Sequence, residues 1–336
     1  MKQLNTGFNI EKQQSIQSNY STTWKSFSQE IIEESQISQS DICLVIAIDN
    51  ECSTLLAGCY LQIKVFEFNQ GIIKQIQTLN EHKNWVHTLT FMKKSKQFIS
   101  WKFRQFYNYM EIKLKQFMGF IIEIKWTQFL DLLFNLIISG SSDTTIKFWI
   151  NKNEWLCQQT ITDHSGYIYD LNLNQQQNRI VSCGHDKVIL IIEQSEKNTE
   201  WNVIQKITVE KYGYRVCFIG NNMFIFSPYA TEQISVFEMN NINKQFTKIR
   251  DITVKCGPDD QCLFPQQYVY SECILLSKNG EYVNLIRKQQ NGEFLTEQSI
   301  HFGTTNLFGR MSEDGKYLIT WDRKSNKIQI RKSKEL

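Results

Sequence analysis

The fold is decided by the stretch Leu136-Ile137-Ile138-Ser139-Gly140-Ser141-Ser142-Asp143-Thr144-Thr145-Ile146-Lys147-Phe148-Trp149. An apolar run leads into Ser and Gly, a short polar turn ends in Asp, and a second apolar run ends in an aromatic residue. The same pattern recurs at Arg179–Ile192 and, with a shorter turn, at Leu55–Phe66. A repeat with a period of about forty residues predicts an array of similar structural units.

These repeats resemble those of the WD40 β-propeller family. In that family a His in the loop that enters each blade pairs with an Asp in the turn between strands two and three. A Ser on strand two and a Trp on strand three complete the network. The resemblance implies these roles for His164, Ser182 and Asp186 in one blade, for Ser139, Asp143 and Trp149 in the blade before it, and for His82 and Ser100 in a third. It is clear between about residues 42 and 200 and weak beyond them.

The resemblance implies an all-β fold, a seven-bladed β-propeller of four-stranded antiparallel blades. We expect a single propeller domain over residues 24–336. Its last repeat lacks a complete fourth strand, so a segment before Ile42 should close the ring and cover the open sheet edge. Trp24–Ser38 fits either this strand or a short amphipathic helix. Residues 1–23 are polar and rich in Gln, Asn and Ser, which predicts a disordered lead-in.

Residues 101–135 do not follow the repeat and are expected to be irregular. Ser100 should precede a Gly and a polar turn, but Trp101-Lys102-Phe103-Arg104 follows instead. If the same nucleotides are translated one base later, Gly is forced at position 101, Trp at 110 and Gly at 126. We therefore hypothesise that residues 101 to about 130 are a repeat in the wrong frame; the alternative is a genuine insertion. Blade two then keeps two strands, Met110–Lys115 is its candidate third strand, and blade three loses part of its first strand.

Composition excludes several function classes. The net charge of the 336-residue chain is only +3, and the lysines between residues 93 and 96 fit a solvated hairpin tip, so nucleic-acid binding is not expected. Phe129–Ile138 is the most apolar window and is too short to span a membrane, and the N-terminus has no secretory pattern. The nine cysteines lack metal-binding spacing and predict free, mostly buried thiols. We expect no metal or cofactor.

Catalysis is not expected either. Gly140-Ser141-Ser142-Asp143 is a turn and not a phosphate-binding loop, since no Gly-Lys-Ser/Thr follows it. His164 and Asp186 could be mistaken for a catalytic pair, but the resemblance implies that they pair for structural reasons within a blade.

The resemblance implies a non-catalytic protein-interaction scaffold, a monomeric propeller within a complex in the cytoplasm or the nucleus. Trp, Tyr and Arg are the residue types that anchor interfaces. The candidates on the narrower face are Trp85, Tyr167, Lys187 and Arg215; the alternative is that Trp85 and Tyr167 only cover blade edges. Two further hypotheses are a WD40 adaptor subunit in cytosolic iron–sulfur protein assembly and a decayed paralogue without function.

Overall fold

The computed structural model of the protein describes residues 26–80, 82–92, 98–102, 119–121, 127–133, 136–152, 155–258 and 263–335. Residues 1–23, Met110–Lys115 and the lysines at 93–96 lie outside these ranges, so the predictions made for them stay predictions. The described chain begins with two short strands around a 3-10 helix: β1 (Phe27–Ile31), the helix Glu33–Ser35 and β2 (Ile37–Ser38). No helix among the described residues is long and apolar enough to cross a membrane.

Five sheets are blades of four antiparallel strands joined in chain order. Blade one contains β3 (Cys43–Ile48), β4 (Thr54–Cys59), β5 (Gln62–Asn69) and β6 (Ile72–Leu79). Blade three contains β10 (Thr127–Leu133), β11 (Leu136–Ser141), β12 (Ile146–Asn151) and β13 (Trp155–Ile161). Blade four contains β14 (Ile168–Leu173), β15 (Arg179–Gly184), β16 (Val188–Gln194) and β17 (Trp201–Thr208). Blade five contains β18 (Gly213–Phe218), β19 (Met223–Pro228), β20 (Gln233–Met239) and β21 (Phe246–Thr253). Blade six contains β22 (Gln267–Val269), β23 (Ile274–Asn279), β24 (Tyr282–Lys288) and β25 (Phe294–His301).

The blades surround a common centre. First strands of successive blades contact each other, as β10 contacts β14 and β14 contacts β18, so these strands form the inner wall. A cavity of about 200 Å³ lies between the inner strands. Apolar side chains from adjacent blades pack against each other; the cluster between blades four and five, for example, includes Val181, Ile191, Phe218 and Phe224. This interleaved packing makes each blade depend on its neighbours.

Blade seven is completed by the start of the chain. Its own strands are β26 (Leu307–Met311), β27 (Tyr317–Asp322) and β28 (Lys327–Glu335). The fourth strand is β1, which pairs antiparallel with β28, while β2 pairs with the other end of β28. Phe27 is 3% exposed and lies under the guanidinium of Arg287, 4.9 Å from its ring centre. The segment before Ile42 is therefore a strand with a buried anchor, and the edge of β28 is covered.

The remaining sheet, blade two, differs from the other six. It contains β7 (Val86–Phe91), β8 (Phe98–Lys102) and β9 (Gly119–Ile121), and β9 runs parallel to β8. The described residues thus form six complete four-stranded blades and one three-stranded sheet, whose third strand lies in the region after Ser100 that was predicted to be irregular. One correction concerns blade three, which has a full first strand in β10. Apolar, β-forming residues can supply a strand even where the repeat pattern is absent.

Glutamine side chains join the outer strands of adjacent blades. The Gln205 amide donates to the carbonyl of Phe246 (2.8 Å) and accepts from its N–H (2.7 Å). Gln159 joins blade three to Trp201 of blade four with the same pair of bonds. Gln298 of blade six accepts from the backbone N–H of Gln29 in β1 (2.8 Å). Each glutamine lies at the irregularity in register of its outer strand, so the same position is used in three blades.

One cysteine pair corrects the expectation of free thiols. Cys43 and Cys59 lie opposite each other on β3 and β4 and form a disulfide. Both are almost fully buried. Sixteen residues separate them in the sequence, and only the pairing of the two strands brings them together. Six other cysteines among the described residues are free thiols.

Candidate functional site on the upper face

The predicted site residues lie at one end of the strands. Consecutive strands of a blade run antiparallel, so the loops that enter each blade and the turns between its second and third strands share one face of the propeller. We call it the upper face. The turns between first and second strands, and between third and fourth strands, form the lower face.

Blade four contains a complete His–Ser–Asp network. His164 lies in the loop before β14, and its Nδ1 is 2.8 Å from Oδ2 of Asp186 in the turn between β15 and β16. Its Nε2 is 2.9 Å from Oγ of Ser182 on β15. The Asp186 carboxylate accepts a hydrogen bond from the N–H at Nδ1 of His164. The other ring nitrogen, Nε2, therefore accepts a hydrogen bond from the Ser182 hydroxyl. The backbone N–H groups of Ser165 and Val188 also donate to Asp186. The network therefore ties the entry loop to the turn.

The electrostatics of Asp186 fit this structural role. Burial raises the pKa of the carboxyl, but the hydrogen bond and charge of His164 and the two backbone donors outweigh it, so the pKa lies below its ordinary value of 3.8. The arrangement has the connectivity of a catalytic Ser–His–Asp triad. Ser182 is 0% exposed and the side chain of His164 is 0% exposed, so no substrate can reach the hydroxyl. The geometry supports a structural network.

The neighbouring blades contain parts of the same network. In blade three the indole N–H of Trp149 donates to Oγ of Ser139 (3.0 Å). Asp143 accepts from the N–H and hydroxyl of Thr145 inside its own turn. In blade two, Nε2 of His82 lies 2.8 Å from Oγ of Ser100. The predicted residues of each blade are thus close together, but of these three blades only blade four combines His, Ser and Asp among the described residues.

The predicted partner-binding residues separate into different environments. Tyr167 is 57% exposed in the loop before β14, and Lys187 is exposed in the turn of blade four. Trp85 is half-buried before β7. The structure corrects the prediction for Arg215, because this side chain is only 2% exposed and its Nε donates to the carbonyl of Phe264 (2.7 Å). A side chain that satisfies an internal carbonyl is not available as an exposed anchor.

The structure also reveals a cluster that sequence reasoning missed. Aromatic rings from blades four and five meet on the upper face, and none is fully buried. Ring centres are 4.7 Å apart for Tyr169 and Tyr214, 5.1 Å for Tyr212 and Tyr229, and 5.2 Å for His185 and Tyr212. We call this set the tyrosine cluster; its members are Tyr167, Tyr169, His185, Tyr212, Tyr214 and Tyr229.

A sequence signal for the cluster was present. Tyr167 and Tyr169 flank the first residue of β14, and Tyr212 and Tyr214 flank the first residue of β18. The Tyr-x-Tyr motif therefore occurs at the same position in two consecutive blades. Position within the repeat predicts which ends of two blades meet, and that signal could have found four of the six rings.

A second, smaller aromatic group lies on the upper face of blades one and two. The ring of Trp85 is 5.3 Å from that of Tyr60 and 6.4 Å from that of His87. Burial lowers the pKa of His87 to about 4, so its imidazole is neutral near pH 7. Tyr60 is 47% exposed, and this group presents a partly apolar surface.

Comparison with known proteins adds one result. Residues 155–193 match the family model for the WD40 repeat (WD domain, G-beta repeat). The match runs from β13, the outer strand of blade three, to β16 of blade four. The sequence repeat is therefore offset by one strand from the structural blade. No curated protein matches the chain. Among the described residues, no group of three or more His, Cys, Asp or Glu side chains could hold a metal ion.

Proposed function

We propose that this chain, in which a WD40-repeat match at residues 155–193 lies within a β-propeller, is a non-catalytic scaffold that binds protein partners on its upper face. WD40 propellers generally mediate protein–protein interactions. The burial of Ser182 and His164 supports a scaffold without catalytic activity, since the hydroxyl that resembles a nucleophile is inaccessible.

The observation that supports the upper face is the exposure of aromatic side chains there. Tyr167 and its neighbours form one group, and Trp85 with Tyr60 forms another. Tyr and Trp supply large contact areas at a low cost in side-chain entropy. Lys187 adds an exposed charge beside the first group. We keep Trp85, Tyr167 and Lys187 as proposed partner-binding residues and leave out Arg215.

The proposal includes several finer points. The three-stranded sheet β7–β9 counts as the seventh blade, and residues 24–336 form one domain after a lead-in over residues 1–23. The propeller acts as a monomer within a protein complex of the cytoplasm or nucleus, and needs no cofactor.

Affinity purification of the tagged full-length chain tests the proposal. We expect a reproducible set of partner proteins that is lost with the double variant Trp85→Ala/Tyr167→Ala. The matched control is Ile242→Ala, because Ile242 is 93% exposed in a turn of the lower face. Loss of the same partners with Ile242→Ala, or their retention by the double variant in a folded chain, would contradict a role for the upper face.

A further inference from the structure

The tyrosine cluster supports a statement about the chemistry of the partner. Starting from the proposed function, on which this inference depends, we propose that the cluster binds an uncharged, proline-rich segment of a partner protein in an extended conformation. Four observations support this: the rigidity of the cluster, its chemistry, the charges around it, and the groove beside it.

The cluster is held in place by the backbone. The N–H of His185 donates to the carbonyl of Tyr167, and the N–H of Tyr229 donates to the carbonyl of Tyr212, both at 2.8 Å. Each bond ties the turn of a blade to the loop that enters it. Because the rings also contact each other, little side-chain freedom remains to be lost on binding. The surface is therefore preorganised.

The chemistry of the cluster matches a polyproline II helix. Proline-rich segments bind to aromatic-lined surfaces. Their carbonyls have no internal hydrogen bonds and prolines lack N–H groups, so such a segment presents acceptors in excess. Tyrosine hydroxyls can donate to these carbonyls, and tyrosine faces pack against pyrrolidine rings. The contacts from Tyr167 through His185 and Tyr212 to Tyr229 measure 6.2, 5.2 and 5.1 Å. Each step between neighbouring rings therefore corresponds to about two residues at roughly 3.1 Å per residue.

The charges around the cluster complement a neutral segment. Lys187 and Lys211 are exposed beside the rings in the chain, and so are Glu210 and Glu232. None of these four side chains forms an ion pair with another described residue. With the ionised Asp186 carboxylate, which lies between His185 and Lys187, the surroundings have three negative and two positive charges and no excess of positive charge, whereas single-stranded nucleic acid requires a basic groove. The balance favours an uncharged ligand.

Ring spacing argues against an alternative ligand, a methylated ammonium group. Such a cation is bound between aromatic faces that surround it. Here Tyr169 and Tyr214 touch at 4.7 Å, and Tyr212 and Tyr229 at 5.1 Å, so the rings fill the space that the cation would need. The outer faces and edges of the rings remain as contact surfaces for an extended proline-rich chain.

A groove lies beside the cluster, between blades four and five. It has a volume of about 670 Å³, and its lining includes Lys211 and Pro228, which are adjacent in the chain to Tyr212 and Tyr229. Gln205 and Phe246 line it further along. The groove therefore begins one residue from two rings of the cluster, and an extended segment longer than the cluster has a recess beside it.

The test uses the full-length chain and a labelled peptide of about ten prolines, a length that adopts the polyproline II helix. We expect binding by fluorescence anisotropy, no binding of an equally long Gly-Ser peptide, and affinity about tenfold lower with Tyr167→Ala, as for one anchoring side chain. Tyr167→Phe keeps the ring and should lower affinity less than Tyr167→Ala does. Ile242→Ala, in a turn of the lower face, is the matched control and should leave the affinity unchanged.

Three outcomes would overturn the inference: no binding of the proline peptide, equal losses with Ile242→Ala and Tyr167→Ala, or preferential binding of a trimethyl-lysine peptide or single-stranded RNA. If the proline peptide fails but Trp85→Ala/Tyr167→Ala still removes protein partners, only the partner class is wrong and the proposed function stands. If the variants also leave all partners bound, the proposed function fails as well.

Discussion

Blade four and blade two begin with the same hydrogen bond and end differently. The distance from His Nε2 to Ser Oγ is 2.9 Å between His164 and Ser182 and 2.8 Å between His82 and Ser100. Blade four continues with Asp186 in a tight turn and becomes a four-stranded antiparallel sheet. Blade two has Arg104 at the position that corresponds to Asp186, and its third strand is parallel.

The difference shows which part of a blade the His–Ser bond stabilises when the short turn is absent. The His–Ser bond holds the loop that enters a blade against the second strand, because the His lies in that loop and the Ser lies on that strand. The third strand can return antiparallel only if a short turn follows the second strand. The short turn, and not the His–Ser bond, therefore determines whether a blade is completed; blades one and six have such a turn without an aspartate and still contain four antiparallel strands.

The largest expected effect separates the two histidines. His164→Ala should lower the free energy of unfolding by about 3 kcal/mol, because it leaves the buried Asp186 carboxylate and the Ser182 hydroxyl without the imidazole. His82→Ala should cost about half as much, since the Ser100 hydroxyl that it contacts carries no charge. Urea unfolding of both variants measures the difference. Equal losses would contradict the greater importance of the blade-four network.

A repaired blade two should be more stable. We expect a gain of about 2 kcal/mol, or about 5 °C in Tm, when residues 101–110 are replaced by Gly-Ser-Ser-Asp-Asn-Ser-Ile-Ile-Ile-Trp, which the shifted frame allows. Calorimetry of the two chains measures this gain. A Tm that does not rise would favour a genuine insertion. Sequencing the transcript across codons 95–140 is an independent check, and agreement with the present sequence would refute a frame error in the expressed protein.

Acid should weaken the blade-four network in a defined pH range. The pKa of Asp186 in the folded chain is below its ordinary 3.8, so the ionised carboxylate stabilises the fold above that pH, and this contribution is lost as pH falls through the folded-state pKa. Asp186→Asn should cost about 1.5 kcal/mol at pH 7. The difference between the native chain and the variant should shrink below pH 3.8. Unfolding curves that show a constant or growing difference would contradict the assignment.

The smallest expected effect concerns the glutamine hydrogen bonds that join the outer strands of adjacent blades. Gln205→Ala should cost about 1 kcal/mol, because the variant loses both bonds to the backbone of Phe246. Gln77 of blade one lies at the same register position, facing blade two, and its side chain makes no hydrogen bond to a described residue. Gln77→Ala is therefore the matched control, with an expected change within about 0.5 kcal/mol. Similar losses in the free energy of unfolding with Gln205→Ala and Gln77→Ala would contradict this difference, because they would show that Gln77 also connects blade one to blade two.

The sequence by itself determined the features that depend on residues close together in the chain. The repeat, the turns and the order of strands within blades one and four follow from residues a few positions apart, and β-propeller geometry is consistent with them. His164, Ser182 and Asp186 could be named because they belong to one repeat. The irregularity after Ser100 was visible for the same reason, since a missing turn breaks a local pattern.

Only the tertiary structure decided what happens between strands and blades. It placed Cys43 opposite Cys59, buried Arg215 against Phe264, and supplied blade three with the strand Thr127–Leu133. It also brought the rings of two blades together in the tyrosine cluster. These contacts depend on the stagger of paired strands and on how adjacent sheets pack, and neither is encoded in the spacing within one repeat.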